Sequence, residues 1–205
     1  MSRHERRYQK YLARHQKHGM STALPGVRGT LATASEVNLA AAAPVHETLV
    51  PANLFEQGLG NLVFSRALPD GRIAMAVFLL DMYCLGAKSA FIAVVGRSEY
   101  GLRLSRWSGE RLQPVQPACF RKLVEGGVEY ARELGFNPHP DYALASKIFG
   151  DVRSADCSTR FVYGHDGKPL YISGPNESPD QVRAIIEQLE RRLGAGNFDF
   201  LVLAG

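Results

Sequence analysis

The sequence predicts an α+β fold in which a mostly antiparallel sheet, built from two hairpins with three or four packed helices, follows a basic N-terminal arm. Two observations support this prediction. Turn signals separate short apolar runs in two places, and longer segments repeat apolar residues at helical spacing. These strands and helices come in groups rather than in strict alternation, which is typical of α+β folds. Of the 205 residues, 45% are hydrophobic and 21% are charged, so the chain can bury a sizeable core.

The strand patterns begin in the second quarter of the chain. Pro-Asp-Gly at residues 69–71 separates two apolar runs, residues 62–68 and 72–83. Because Pro presets the first turn angle and Gly tolerates positive φ, this pattern predicts a hairpin. Further antiparallel strands are predicted over residues 88–95 and 102–107.

Helical spacing predicts helices over residues 118–134, 141–149 and 178–193. Ser178 and Gln181 have the spacing of a capping box at the start of the last helix. One apolar stripe of that helix is expected to pack on the sheet, and it consists of Val182, Ile185, Ile186, Leu189 and Leu193.

Two more strand signals lie in the last quarter of the chain. His-Asp-Gly at residues 165–167 lies between apolar runs at 159–163 and 168–172, which predicts a second hairpin. Residues 198–203 form a final apolar run that is expected to insert into the same sheet.

Composition divides the chain into three regions. Residues 1–20 form a basic tail, and residues 21–48, rich in Ala, Gly and Thr, are predicted to be a linker or extended arm. Residues 49–205 are predicted to form a single α+β domain.

Positive charge is concentrated in the tail. The chain has a formal net charge of +4, from 24 Lys and Arg against 20 Asp and Glu. Residues 1–20 carry +5 and the rest of the chain carries −1. The six cations of the tail are Arg3, Arg6, Arg7, Lys10, Arg14 and Lys17.

A short basic tail on a nearly neutral domain favours contact with a polyanion. Lys and Arg release counterions from phosphates, and Tyr8 and Tyr11 could stack on unpaired bases. The leading hypothesis is a non-enzymatic binding or accessory domain that contacts RNA, DNA or the ribosome through residues 1–20. In the alternatives, the tail only aids solubility, or the chain is a protein-interaction subunit.

Cysteine spacing and hydropathy limit the cellular compartments in which the protein is expected. The longest apolar run, residues 73–80, is shorter than a membrane span, so no membrane partner is expected. The three cysteines are far apart and form no CxxC pair, so no disulfide framework and no metal site are expected. These patterns favour a reducing cytoplasm. No cofactor motif is present.

An enzymatic alternative rests on Asp81, Cys84 and Lys88 near the end of an apolar strand. In a thiol-dependent hydrolase or transferase, Cys84 would be the nucleophile, with a base such as His139 and an orienting acid such as Asp141. The competing interpretation is that Cys84 fills the core and that Asp81 fixes a turn or pairs with Lys88. No GxSxG or HExxH motif is present.

Three segments carry a resemblance to a known family. They read LLDMYCLGAKSAF at residues 79–91, GVEYARELGFNPHPDY at residues 127–142 and DGKPLYISGPNESP at residues 166–179. In these segments the chain resembles a family of uncharacterised bacterial proteins. The resemblance implies a shared domain over most of the chain after residue 60 and implies no particular activity.

Overall fold

The computed structural model describes residues 32–106 and 111–202. In these residues the helices are α1 (Ala34–Ala42), α2 (Leu54–Gln57), α3 (Arg97–Arg106), α4 (Pro117–Glu133), α5 (Tyr142–Ala145) and α6 (Pro179–Leu193), with 3-10 helices at Ser146–Phe149 and Ser154–Asp156. The strands are β1 (Val45–Pro51), β2 (Leu59–Ala67), β3 (Ile73–Asp81), β4 (Gly86–Val95), β5 (Leu112–Pro114), β6 (Leu170–Ile172) and β7 (Asp199–Leu201). The prediction of an α+β fold is confirmed.

Five strands form one antiparallel sheet in the order β4-β3-β2-β1-β5. Strands β2, β3 and β4 form a meander in which Leu62 pairs with Phe78 and Phe78 pairs with Ala90. The predicted Pro-Asp-Gly turn joins β2 to β3, and Gly71 adopts a φ of 84° there, which favours glycine. Strand β5 pairs with β1, so β1 lies inside the sheet.

Different elements cover the two faces of this sheet. On the first face, Phe78 packs against Phe120 of α4 and Phe149 of the first 3-10 helix, with ring centroids 6.2 Å and 5.4 Å away. On the second face, Met75 belongs to an apolar cluster with Tyr100 of α3. Because β3 is buried on both faces, its apolar residues run on without alternating.

The long helix α4 confirms the helix predicted over residues 118–134. Its Gly126 permits close packing, because a Cβ there would lie 2.3 Å from the Tyr163 hydroxyl. That hydroxyl donates a hydrogen bond to the Leu123 carbonyl of the same helix at 2.9 Å. The glycine therefore allows the segment before residue 164 to lie directly on α4.

Arg66 of β2 is a charged side chain inside the core, with 2% of its surface exposed. Its Nε donates to the Ile148 carbonyl at 2.7 Å, its Nη2 to the Phe149 carbonyl at 2.6 Å, and its Nη1 to the Ala43 carbonyl. Asp151 supplies a carboxylate oxygen 3.0 Å from Nη2. The guanidinium therefore satisfies carbonyls at the ends of α1 and of the 3-10 helix and joins both to the sheet.

The C-terminal strands form a separate small sheet. β6 and β7 pair in parallel, with Tyr171 opposite Phe200. The prediction that residues 198–203 insert into the main sheet is therefore wrong. The connection explains the difference, because a helix between two strands returns the second strand parallel to the first.

Helix α6 begins with the predicted capping box. The Gln181 backbone N–H donates to Ser178 Oγ at 3.3 Å, and the Ser178 N–H donates to Gln181 Oε1 at 2.8 Å. Within the predicted apolar stripe, Val182 and Leu189 are buried. The other three residues of the stripe are only partly buried, because α6 lies over the small sheet and not over the large one.

Residues 34–48, predicted as part of a linker over residues 21–48, belong to the folded domain. Helix α1 buries Val37 and Ala40, and β1 lies between β2 and β5. The small side chains that resembled a linker allow α1 to pack closely in the core. The folded domain therefore begins no later than α1, and not at residue 49.

The predicted strand over residues 102–107 is wrong up to residue 106, because this part lies in α3. Its alternation of apolar and basic residues resembles a strand. In the helix, however, Tyr100 and Leu104 are one turn apart and both pack on the second face of the sheet. Residue 107 lies outside the described residues.

The second predicted hairpin is only partly correct. A tight turn forms at its centre, where Asp166 and Gly167 have φ values of 49° and 81° and His165 bridges to Lys168. Residues 159–163 do not form a strand. Tyr163 of this segment packs on α4 instead, so the hairpin does not contribute to the main sheet.

Cys119 and Cys157 form a disulfide, contrary to the expectation that none would be present. The bond connects α4 to the residue after the second 3-10 helix, across a sequence separation of 38 residues. Spacing carried no signal of this pair, since only the packing of that segment on α4 brings the two residues together. The chain's third cysteine, Cys84, is free and buried.

Candidate functional site

Three segments that were singled out in the sequence, residues 79–91, 127–142 and 166–179, meet at the turn between β3 and β4. In the turn, the Tyr83 carbonyl accepts the N–H of Leu170 at 3.1 Å. Just beyond it, the Ala87 carbonyl of β4 accepts the N–H of His139 at 2.9 Å. The turn therefore joins all three segments, which are residues 79–91, 127–142 and 166–179.

Asp81 organises this turn from the end of β3. Its Oδ1 accepts the backbone N–H groups of Tyr83 at 2.9 Å and Cys84 at 3.0 Å. Burial raises the pKa of the Asp81 carboxyl, and the positive charge of Lys88 together with the backbone hydrogen bonds opposes that rise. Asp81 therefore fixes the turn, as the packing interpretation of the sequence expects.

A β-bulge in β4 determines the position of Lys88. Leu79 pairs with Ser89 and Leu80 with Ala87, which leaves Lys88 as the extra residue between the two pairs. Its Nζ lies 2.8 Å from Glu177 Oε1, and the two side chains are only 12% and 16% exposed.

Glu177 receives donors on both carboxylate oxygens. Its Oε2 accepts the Tyr171 hydroxyl and the Gly174 N–H, the latter at 3.0 Å, while Oε1 faces Lys88. Desolvation opposes ionisation of Glu177, but the charge of Lys88 and these hydrogen bonds together lower its pKa below the ordinary value. The carboxylate is therefore ionised at neutral pH.

This network fastens the C-terminal part of the chain to the main sheet. Lys88 belongs to β4, Tyr171 to β6, and Glu177 precedes α6 by two residues. No local sequence pattern connects Glu177 or Tyr171 to Lys88, because 89 residues separate Lys88 from Glu177.

Cys84 lies in an environment that disfavours a nucleophile. The side chain is fully buried, and this burial, with the nearby Asp81 carboxylate, raises the pKa of its thiol. Catalytic thiols need access to solvent and a stabilised thiolate, and Cys84 has neither. The structure therefore favours the packing role of Cys84 over the thiol-enzyme alternative.

His139 stabilises a loop against the edge of β4. Its Nδ1 accepts the Asp141 N–H at 3.2 Å, and its backbone N–H donates to Ala87. The His139 carbonyl also accepts the Tyr142 N–H at 2.9 Å, and none of these hydrogen bonds involves Cys84. Within the described residues, no hydrogen bond therefore connects Cys84, the nucleophile of the enzymatic alternative, to His139, its base.

The six tail cations, Arg3, Arg6, Arg7, Lys10, Arg14 and Lys17, lie outside the described residues. The first described residue, Ala32, donates its N–H to the Ile92 carbonyl at 3.1 Å. The described part of the chain therefore begins beside the edge strand β4.

Metal sites and membrane-spanning helices are two further features that the described residues can be searched for. Within residues 32–106 and 111–202, no group of three or more His, Cys, Asp or Glu side chains could hold a metal ion. In the same residues, no helix combines the length and hydropathy needed to cross a bilayer. Comparison of the chain with family models, curated proteins and solved structures finds no match.

Glu177→Gln is expected to lower the free energy of unfolding at pH 7 by about 1–3 kcal/mol, because the largely buried Lys88 ammonium loses its counterion. The pKa of Glu177 is lowered in the fold from 4.5, so its stabilisation is present above that pH and is lost as the pH falls through the folded pKa. Denaturant unfolding should therefore show that Glu177→Gln lowers the free energy of unfolding less at pH 3 than at pH 7.

The matched control is Glu187→Gln, an exposed carboxylate on α6. Its effect is expected to stay within about 0.5 kcal/mol at both pH values. Equal losses for Glu177→Gln at pH 7 and pH 3 would contradict the role assigned to the ion pair.

Proposed function

We propose that this chain is a non-enzymatic nucleic-acid-binding protein that contacts RNA or DNA through its basic tail, residues 1–20. From here on we call this segment the arm. The observation that carries the proposal is the separation of charge: residues 1–20 sum to +5, and the rest of the chain sums to −1. A ribosome would present the same phosphate chemistry.

The physical basis is the release of counterions. Each Lys or Arg that neutralises a phosphate releases bound cations into solution, so affinity falls steeply as salt rises. Tyr8 and Tyr11 are interleaved with the cations and could stack on unpaired bases. Phosphate contacts carry no sequence information, so weak sequence preference is expected.

The environment of Cys84 supports a binding role rather than catalysis. The enzymatic alternative requires an accessible thiolate, whereas the Cys84 thiol is buried with a raised pKa. A cytoplasmic location belongs to the same proposal. The Cys119–Cys157 disulfide counts against this part of the proposal, because structural disulfides are rare in a reducing compartment.

The proposal predicts that neutralising the arm removes salt-dependent binding. The variant replaces all six tail cations with Gln in the full chain. A deletion up to residue 48 would be unsuitable, because it would also remove α1 and part of β1. Binding to labelled single-stranded and duplex oligonucleotides is titrated from 50 to 200 mM salt. With about five phosphate contacts, the log–log slope for the wild type should be about −3.5 on single strands and about −4.5 on duplex.

The matched control makes the same change to Gln at three exposed cations of the domain, Arg153, Arg183 and Arg191. If the arm carries the binding, this variant should retain the wild-type slope. Equal affinity and slope for the arm variant and the wild type would contradict the proposal.

A further inference from the structure

A pair of aromatic rings forms an apolar surface at the end of the sheet where α2 lies. Phe55 of α2 is 50% exposed. Its ring stacks on that of Phe161, with centroids 6.0 Å apart and an angle of 5° between the planes. The Tyr83 hydroxyl donates to the Phe55 carbonyl at 3.2 Å, which fixes the backbone beneath the first ring. We call this pair the Phe55–Phe161 surface.

An exposed ring held parallel to a partly buried one is suited to stacking. Unpaired bases stack on exposed aromatic side chains, and such contacts tolerate any base because every base has a π face. Phe161 packs on the hydrophobic core, so Phe55 rests on a supported ring. The exposed Phe55 ring is therefore already held in position for stacking with a flat partner.

The charges around the surface match a phosphate backbone. Arg160 precedes Phe161, and Arg111 lies beside α2, because its carbonyl accepts the Ala52 N–H at 2.8 Å. Both arginines are exposed, and neither forms an ion pair with a described carboxylate. Glu56 is also exposed on α2. Phosphates are therefore expected next to the two arginines rather than next to Glu56.

The side-chain oxygens of two amide residues at the ends of α2 receive no hydrogen bond within the described part of the chain. Asn53 Oδ1 and Gln57 Oε1 are buried and accept no hydrogen bond from the described residues. A buried acceptor without a donor is unusual in folded proteins. Exocyclic amino groups of bases are N–H donors of the kind that such amides accept after a side-chain rotation.

From these observations we infer that the Phe55–Phe161 surface binds unpaired bases of single-stranded nucleic acid, with the adjacent phosphates held by Arg111 and Arg160. The inference rests on the proposed function for the class of partner, and it adds a second contact on the folded domain. The arm then provides affinity for any polyanion, and the surface distinguishes single strands from duplex.

The test is Phe55→Ala in the full-length chain, titrated at fixed salt with a fluorescent 16-nucleotide single strand and with a 16-base-pair duplex. Loss of one stacking contact is expected to weaken single-strand binding about tenfold and to leave duplex binding unchanged. Phe55→Tyr, which keeps a ring, should restore the affinity. Since Phe55 is half exposed, a thermal unfolding curve for each variant checks that the fold is intact.

Val162→Ala is the matched control, because Val162 is apolar, 73% exposed and next to Phe161. It should leave single-strand binding unchanged. Equal losses for Val162→Ala and Phe55→Ala would indicate a general apolar docking site, as for a protein partner, and would overturn the inference. Unchanged single-strand binding by a folded Phe55→Ala protein would overturn it as well.

The arm variant separates failure of this inference from failure of the proposed function. If neutralising the arm has no effect while Phe55→Ala loses single-strand affinity, the arm proposal fails and the surface is supported. If only the arm variant loses affinity, the surface fails and the arm is supported. No binding of either oligonucleotide by the wild type would overturn both.

Discussion

Arg66→Ala is expected to lower the free energy of unfolding by about 4 kcal/mol or more, a large part of the 5–15 kcal/mol typical of a domain. The substitution removes the donors to three carbonyls, those of Ala43, Ile148 and Phe149, in an interior that water does not reach. The variant should therefore unfold at a markedly lower denaturant concentration than the wild type. Denaturant unfolding followed by circular dichroism measures the loss.

Two further substitutions identify the cause. Arg66→Lys keeps the charge but lacks the fork of donors, so an intermediate loss is expected. Arg72→Ala removes an exposed arginine whose partners are Asp70 and Glu36, and it should cost no more than about 1 kcal/mol. A loss for Arg66→Ala as small as that for Arg72→Ala would contradict the role of Arg66 in the core.

Reduction of the Cys119–Cys157 disulfide is expected to cost about 4 kcal/mol. The bond closes a loop of 38 residues, and in the chain-entropy model the unfolded chain regains this freedom when the bond is broken. The denaturant midpoint should fall on addition of reductant. Thiol counting in denaturant should give one free cysteine before reduction, which is Cys84, and three afterwards.

The double variant Cys119→Ser with Cys157→Ser provides the control. Without reductant its midpoint should lie close to that of the reduced wild type, and adding reductant should not change it. A wild-type midpoint that does not respond to reductant, although thiol counting shows three free cysteines, would contradict the contribution assigned to the bond.

Elements with strong local signals could be predicted from the sequence. The capping box of Ser178 and Gln181, the Pro-Asp-Gly turn and the long amphipathic helix α4 all form as expected. In each case residues close in sequence satisfy the backbone or bury one face, so tertiary contacts do not change the result.

Where tertiary packing decides the structure, the local pattern was misleading. The alanine-rich stretch that forms α1 resembles a linker until the sheet provides a surface for Val37 and Ala40. The segment of α3 alternates as a strand would, yet Tyr100 and Leu104 pack as helix neighbours. Strand β7 was predicted as a strand, but its partner was not, because strand pairing depends on the path of α6.

The candidate site was only partly predictable for the same reason. Asp81, Cys84 and Lys88 are close in sequence and were identified together as a cluster. Glu177, the partner of Lys88, lies 89 residues further along the chain, and no local pattern connects the two. The Cys119–Cys157 bond is a second long-range pair that sequence spacing did not reveal.

The most direct measurement of the central claim is the salt dependence of nucleic-acid binding by the full chain, with and without the six arm cations. We expect a log–log slope of about −4.5 on duplex for the wild type and a slope near zero for the arm variant. Both proteins should show the same unfolding midpoint, because the arm precedes the described domain. A wild-type slope near zero, or the same steep slope for both proteins, would contradict the claim that the arm binds nucleic acid.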